Sequence, residues 1–167
     1  LYTLSGEIID TEGCIVNPEE DIELTAEKNL AVVYRLMERH HASHVLGMCI
    51  GVPGPYIKAE KNQALVAGYD NLQKIDIQKY FEDKFPFPVI TEHDAHLSAF
   101  AEWKSMTQQE KNKYNCMLAL QSLGIGIGAG VILDGKIVEG AFGISGEIGQ
   151  MGILFSGKKE RNGARGR

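Results

Sequence analysis

Glu92-His93-Asp94-Ala95-His96 puts two carboxylates and two imidazoles within five residues, which is the chemistry of proton transfer and of hydrogen bonding to hydroxyl groups. A carboxylate such as Asp94, at the mouth of a cleft, can take a proton from a substrate hydroxyl while that oxygen attacks an electrophile. Asp at a helix start is also a preferred N-cap, accepting a backbone N–H two or three residues on. The residue type leaves base and cap both open. The spacing does not suit a metal: His93 and His96 lie three apart across a predicted strand-to-helix bend, whereas a zinc-protease pair lies four apart within one helix. His40, His41 and His44 fall at a predicted helix end, where cationic side chains meet the favourable end of the dipole.

A second group follows a glycine-rich approach. Gly146-Glu147-Ile148-Gly149-Gln150 brings a carboxylate and an amide three apart, and both project to one side if the segment forms a helical turn. Acidic and amide groups together suit a polyhydroxylated ligand, since each hydroxyl both donates and accepts, and an unpaired partner in a closed pocket is costly. A plain surface turn is the alternative.

Upstream of it, Gly124, Gly126, Gly128 and Gly130 alternate through a strand-like run and leave one face bare. A strand gains no packing from bare positions, so another backbone or a ligand is expected to come close there. Strand-like Val131, Ile132 and Leu133 follow instead of a helix, so this is not the phosphate cradle of dinucleotide binders. The position inside the first Gly-x-Gly, where a phosphate loop would place a hydroxyl donor, is Ile125.

These groups need elements to hold them. The spacing of Leu30, Val33, Tyr34 and Met37 predicts an amphipathic helix over 23–40. The apolar run 45–52, ending at Pro53-Gly54-Pro55, predicts a strand buried on both faces that delivers its loop to a crevice. A short helix is expected over 75–85. Val89, Ile90 and Thr91 predict a strand, followed by a helix with Leu97, Phe100 and Ala101 as its apolar face. Glu92, His93 and Asp94 then fall at the junction, where α/β proteins place ligand contacts. Residues 107–115 read as a polar connector, 116–123 as a strand, and Asp134-Gly135 as a hairpin turn. The opening segment, 1–16, alternates like consecutive antiparallel strands.

The 167 residues are 44% hydrophobic, enough for a core of one domain or lobe. A formal charge of -5 argues against a polyanion-binding surface, and the basic residues from Lys158 onward are read as a solvated terminal tract. Cys14, Cys49 and Cys116 lie far apart among apolar residues and read as core thiols of a reducing compartment. Apolar runs stop well short of the ~20 residues of a membrane helix, so the protein is expected in the cytoplasm with no membrane partner. Leu1 is preceded by neither Met nor a tail, and the chain is expected to be part of something longer.

The motifs in order resemble the ROK family of bacterial sugar kinases and sugar-responsive repressors. They are Leu4-Ser5-Gly6, Gly51-Val52-Pro53-Gly54-Pro55, Asn71-Leu72, Glu92-His93-Asp94-Ala95-His96, Gly124 to Gly130, Leu133-Asp134-Gly135-Lys136, and Gly140-Ala141-Phe142-Gly143 through Gly149. The resemblance implies an α/β, actin-like ATPase (ribonuclease H-like) fold, with a mixed sheet and flanking helices. Residues 1–105 would be the N-terminal lobe without its first strand, and 106–167 the start of the C-terminal lobe.

The departures sharpen the expectation. Family kinases have Asn before the catalytic Asp, and here His93 precedes Asp94. They commonly have Thr where this chain has Ile125, and they end the Gly-Glu-Ile-Gly segment with a His that contacts sugar and ligates zinc, where this chain has Gln150. The family's three zinc cysteines align with a segment, 160–167, that contains none, so zinc is not expected. The resemblance therefore implies the sugar-sensing portion of a ROK transcriptional regulator, with a sugar or amino sugar held by Gly54, His93, Asp94, Glu147 and Gln150. A homodimer is implied, with DNA reached only through an upstream helix-turn-helix. The alternative is an ATP-dependent sugar kinase with Asp94 as catalytic base, Gly124, Gly126 and Gly128 near the phosphates, and ATP and magnesium as cofactors; no cofactor is expected otherwise.

Overall fold

Asp21 turns the chain into its first helix by accepting the Glu23 N–H at 3.4 Å, and α1 runs Ile22–Arg39, within a residue of its predicted span. A computed structural model of the chain describes residues 1–17, 19–42, 44–54, 56–57, 60, 62–63, 72–122 and 126–151, with backbone alone at 62, 63 and 72. The remaining elements are β1 (Met48–Val52), β2 (Tyr56–Ile57), β3 (Asn62–Gln63), α2 (Ile77–Glu82), β4 (Val89–His93), α3 (Asp94–Ser105), α4 (Gln108–Lys113), β5 (Cys116–Gln121), β6 (Gly128–Leu133) and β7 (Lys136–Ile137). Strand β1 pairs with β4, β2 with β3, and β5-β6-β7 form a three-stranded sheet. Two compact units emerge, one of residues 1–50 with 68–90, the other of 51–67 with 91–167.

The first unit is built around Phe81, Phe85 and Val89, against which Leu30, Val33 and Met37 of α1 pack. Their three- and four-residue spacing is the apolar stripe read from the sequence. Tyr34 joins through a ring contact with Phe85 at 5.3 Å. Helix α2 is short and starts at Asp76, whose carboxylate accepts the Lys79 N–H at 2.9 Å.

Three expectations change here. Residues 1–16 do not form consecutive strands: one antiparallel bridge, Tyr2 to Ile8, closes around Gly6, and the chain from Asp10 onward lies on α1 instead. Side-chain partners draw it there, with Arg39 bonded to Asp10 and Glu12, Arg35 to Glu12, and His40 to Asp10. Strand β1 is not buried on both faces, because Cys49 and Gly51 are exposed while Val52 is buried. Cys116 is exposed too, so two of the three expected core thiols are surface groups.

In the second unit β5 and β6 run antiparallel, with Leu118 opposite Val131 and Ala119 opposite Gly130. Asp134 and Gly135, at φ +50° and +78°, make the predicted hairpin turn into β7. Helix α3 covers this sheet, and its Ala99 and Trp103 close on Ile132 with Met117, Ala119 and Phe100 around them. The buried residues of α3 are Ala95, His96, Ala99 and Trp103; of the predicted Leu97, Phe100 and Ala101, Phe100 packs half-buried on the same cluster, Leu97 is half-buried and Ala101 is exposed. Glycine is the reason: a Cβ at Gly128 would lie 3.0 Å from Ala95 Cβ, and one at Gly130 would lie 2.6 Å from the Ala95 carbonyl oxygen. Bare strand positions face small helix positions, so the two backbones come close. The predicted polar connector is also partly helical, since Thr107 and Glu110 form a reciprocal capping box that starts α4.

Candidate functional site

The β-branched run Val89, Ile90 and Thr91 sustains β4, and alternation turns Val89, Thr91 and His93 to its buried side. The chain passes straight into α3, with His93 at the N-cap position and Asp94 as the first helical residue. The N-cap role left open for Asp94 is therefore not the one it takes. Its Oδ1 accepts the N–H of the next residue, Ala95, at 2.8 Å, and its charge lies favourably at the helix N-terminus.

Three side chains converge at this junction. His93 Nε2 lies 3.2 Å from Asp94 Oδ1 and 4.0 Å from Glu147 Oε1. The imidazole is buried, with Nδ1 lacking a hydrogen-bond partner among the described residues. Glu147 arrives from the glycine-flanked turn after β7. Burial pushes its carboxyl above the ordinary range, opposed by His93 and His96 and reinforced by Asp94.

Sequence reasoning did not single out Gln121. It ends β5 on the face turned to α3, donates from Nε2 to Asp94 Oδ2 at 3.4 Å, and receives the Ser98 hydroxyl at 2.5 Å on its own Oε1. One polar residue closing the apolar run 116–120 was the available signal. His96 was read only as a failed metal ligand. It is fully buried, with Nδ1 3.1 Å from Glu92 Oε1 and Nε2 3.2 Å from the Ser145 carbonyl oxygen.

Of the expected contacts, His93, Asp94 and Glu147 are brought together. Gly54 stands in the bend after β1 with φ +72°. Gln150 closes the 3-10 turn Ile148–Gln150, its side chain exposed and its N–H donated to the Glu147 carbonyl at 3.1 Å. Among the glycines expected near phosphate in the kinase alternative, Gly126 has open space on its Cβ side and Gly128 faces Ala95, while Gly124 lies outside the described residues, as does Ile125. So do Pro55, Asn71 and the segment 160–167 aligned with the zinc knot. Among the described residues no helix is long and apolar enough to cross a membrane.

This architecture is that of the actin-like ATPase fold as used by sugar kinases and related regulators. A ROK family transcriptional regulator, homolog of the E. coli MLC protein, superposes with a TM-score of 0.79 at 24% identity, over 99% of this chain and 41% of that one. A ROK hexokinase from Thermus thermophilus gives a TM-score of 0.70 at 27% identity, over 91% and 49%. The ROK family profile matches residues 1–166, and the chain belongs to the ROK family. A xylose repressor of Bacillus spizizenii is 32% identical over 98% of this chain and 43% of its own length. The chain thus spans less than half of each of these relatives.

Proposed function

We propose that these residues form the sugar-sensing part of a ROK-type transcriptional regulator. The observation that carries this reading is how Asp94 is held. Ala95 N–H donates to one carboxylate oxygen and Gln121 to the other, with His93 Nε2 3.2 Å from the first, so two of its roughly four acceptor directions are occupied. Acceptor capacity remains for a sugar hydroxyl, with Glu147 and the His93 ring beside it. Such an arrangement suits recognition by a fixed acceptor. The similarity to a xylose repressor over nearly the whole chain supports the same reading.

In this reading Gly54 lines the approach to the sugar and Gln150 contributes an amide at its edge. Sugar binding favours one arrangement of a homodimer, and DNA is contacted through a helix-turn-helix outside these 167 residues. Neither zinc nor a nucleotide is required. Titration calorimetry with D-xylose, D-glucose and N-acetylglucosamine tests it: at least one should bind, and Asp94→Asn should weaken that binding about tenfold or more, the effect of losing a hydrogen bond to a charged acceptor. Binding of none of them sinks the proposal.

A kinase is the second reading, favoured by the placement of Asp94 at the junction and by the similarity to a hexokinase. It needs a phosphate cradle, and of the two described glycines expected there Gly126 keeps its Cβ side open while Gly128 faces Ala95. Sugar-dependent ATP turnover abolished by Asp94→Asn would establish this reading over the first.

A further inference from the structure

His96 is enclosed on all sides, and both its ring nitrogens face acceptors, Glu92 Oε1 and the Ser145 carbonyl oxygen. A neutral imidazole has one N–H, so either tautomer sets a nitrogen lone pair against an oxygen lone pair; the imidazolium donates at both. The two acceptors come from different stretches of chain. Glu92 is the residue before the junction on β4, and Ser145 stands two residues before Glu147. Ser145 is itself fixed, its N–H donated to the Glu139 carbonyl at 3.2 Å and its hydroxyl to the Val138 carbonyl.

We propose that His96, carried as an imidazolium, is the positioning residue that holds the Glu147 turn against the β4–α3 junction, setting Glu147 opposite His93 and with it the affinity of the site for a sugar. The inference rests on the sugar-sensing reading for its last step only. The groups around His96 are Glu92 from β4, Glu139 and Glu147 from the segment after β7, and the His93 ring at 4.9 Å on the same junction. Burial disfavours the cation, but Glu92, the Ser145 carbonyl and Glu139 outweigh it, and the imidazole is held above its ordinary range. A basic group whose folded value is raised keeps its bridge at low pH and loses it as pH rises through that value. Above it, one of the two hydrogen bonds goes and the turn is released.

The test uses the full chain, histidine-labelled, from about pH 6 to about pH 9, a range that brackets the ordinary histidine value. Nitrogen NMR should show both His96 ring nitrogens protonated at the acid end. The Gly146 and Glu147 amides should lose hydrogen-exchange protection as that signal titrates. Calorimetry with D-xylose and D-glucose should show affinity falling about tenfold over the same interval. Glu92→Gln, which keeps the ring and removes its counter-charge, should move all three transitions to lower pH together, and His96→Asn should flatten the pH dependence at weakened affinity. A His96 ring with a single N–H throughout, or amide protection and affinity indifferent to its titration, overturns the proposal. If neither sugar binds while protection still follows His96, the positioning role stands and the sugar reading fails alone.

Discussion

Gly146 lies so close to Ala129 that a side-chain carbon on the glycine would overlap the Ala129 carbonyl oxygen, and its φ of +83° is one that L residues rarely adopt. The turn that presents Glu147 is thereby seated on β6 at a point without room for a methyl group. Gly146→Ala should cost about 2 kcal/mol or more, combining left-handed strain with a clash against backbone. Urea denaturation reads the loss, and sugar affinity should fall with it because Glu147 is the next residue. An unchanged midpoint would mean the turn is not seated on β6 as described.

Gly130 makes the corresponding contact between sheet and helix. A Cβ there would meet Ala99 Cβ and lie 2.6 Å from the Ala95 carbonyl oxygen, so α3 would have to lift away from β6. Overpacking of this kind costs roughly 1–3 kcal/mol. Gly130→Ala should therefore lower the denaturation midpoint, and adding Ala99→Gly should restore only part of it, since the Ala95 carbonyl remains in the way. Full recovery in the double variant would show that the side-chain contact alone sets the spacing.

The glycine and alanine positions show what the sequence could and could not convey. The alternating glycines announced that something must approach closely, and the junction at Glu92 to Asp94 was placed correctly by β-branched residues giving way to a helical pattern. Which partner approaches was not legible, because bare strand faces admit a ligand, a strand or a helix equally. The helix partner also shifted the expected face of α3: Leu97 and Phe100 are the larger apolar groups and stay half-buried, while a close backbone approach puts Ala95 and Ala99 at the centre of the contact. The Thr107-to-Glu110 capping box was legible and outweighed by the polar composition around it. Gln121 and the Glu92–His96–Ser145 bridge depend on contacts distant in sequence, which no local pattern encodes.

Ile132 is fully buried on β6 beneath Ala99 and Trp103. Truncation to Ala removes its packing and leaves a cavity that rigid neighbours only partly fill, a loss of about 2–5 kcal/mol. Ile132→Ala should thus destabilise the second unit strongly, whereas Leu118→Ala on the exposed side of β5 should stay within about 0.5 kcal/mol. Equal losses from the two substitutions would contradict the placement of α3 on one face of the sheet.

Glu147 couples stability to function with opposite signs. Burial raises its carboxyl above the ordinary range, so the folded chain holds this proton more tightly than the unfolded chain does. A carboxyl with a raised folded value contributes stability at pH below its unfolded value, and that contribution is lost as pH rises through the folded one. At neutral pH the ionised carboxylate is consequently retained at a cost to the fold. Glu147→Gln, close in shape and without the charge, should raise the melting temperature at neutral pH and have little effect under acid conditions where the wild-type carboxyl is protonated. The same substitution should weaken sugar binding, because a carboxylate accepting from a hydroxyl is replaced by a neutral amide. Melting curves and calorimetry on one pair of proteins across pH decide it: a variant less stable than wild type at neutral pH would show that His93 and His96 outweigh burial at this site.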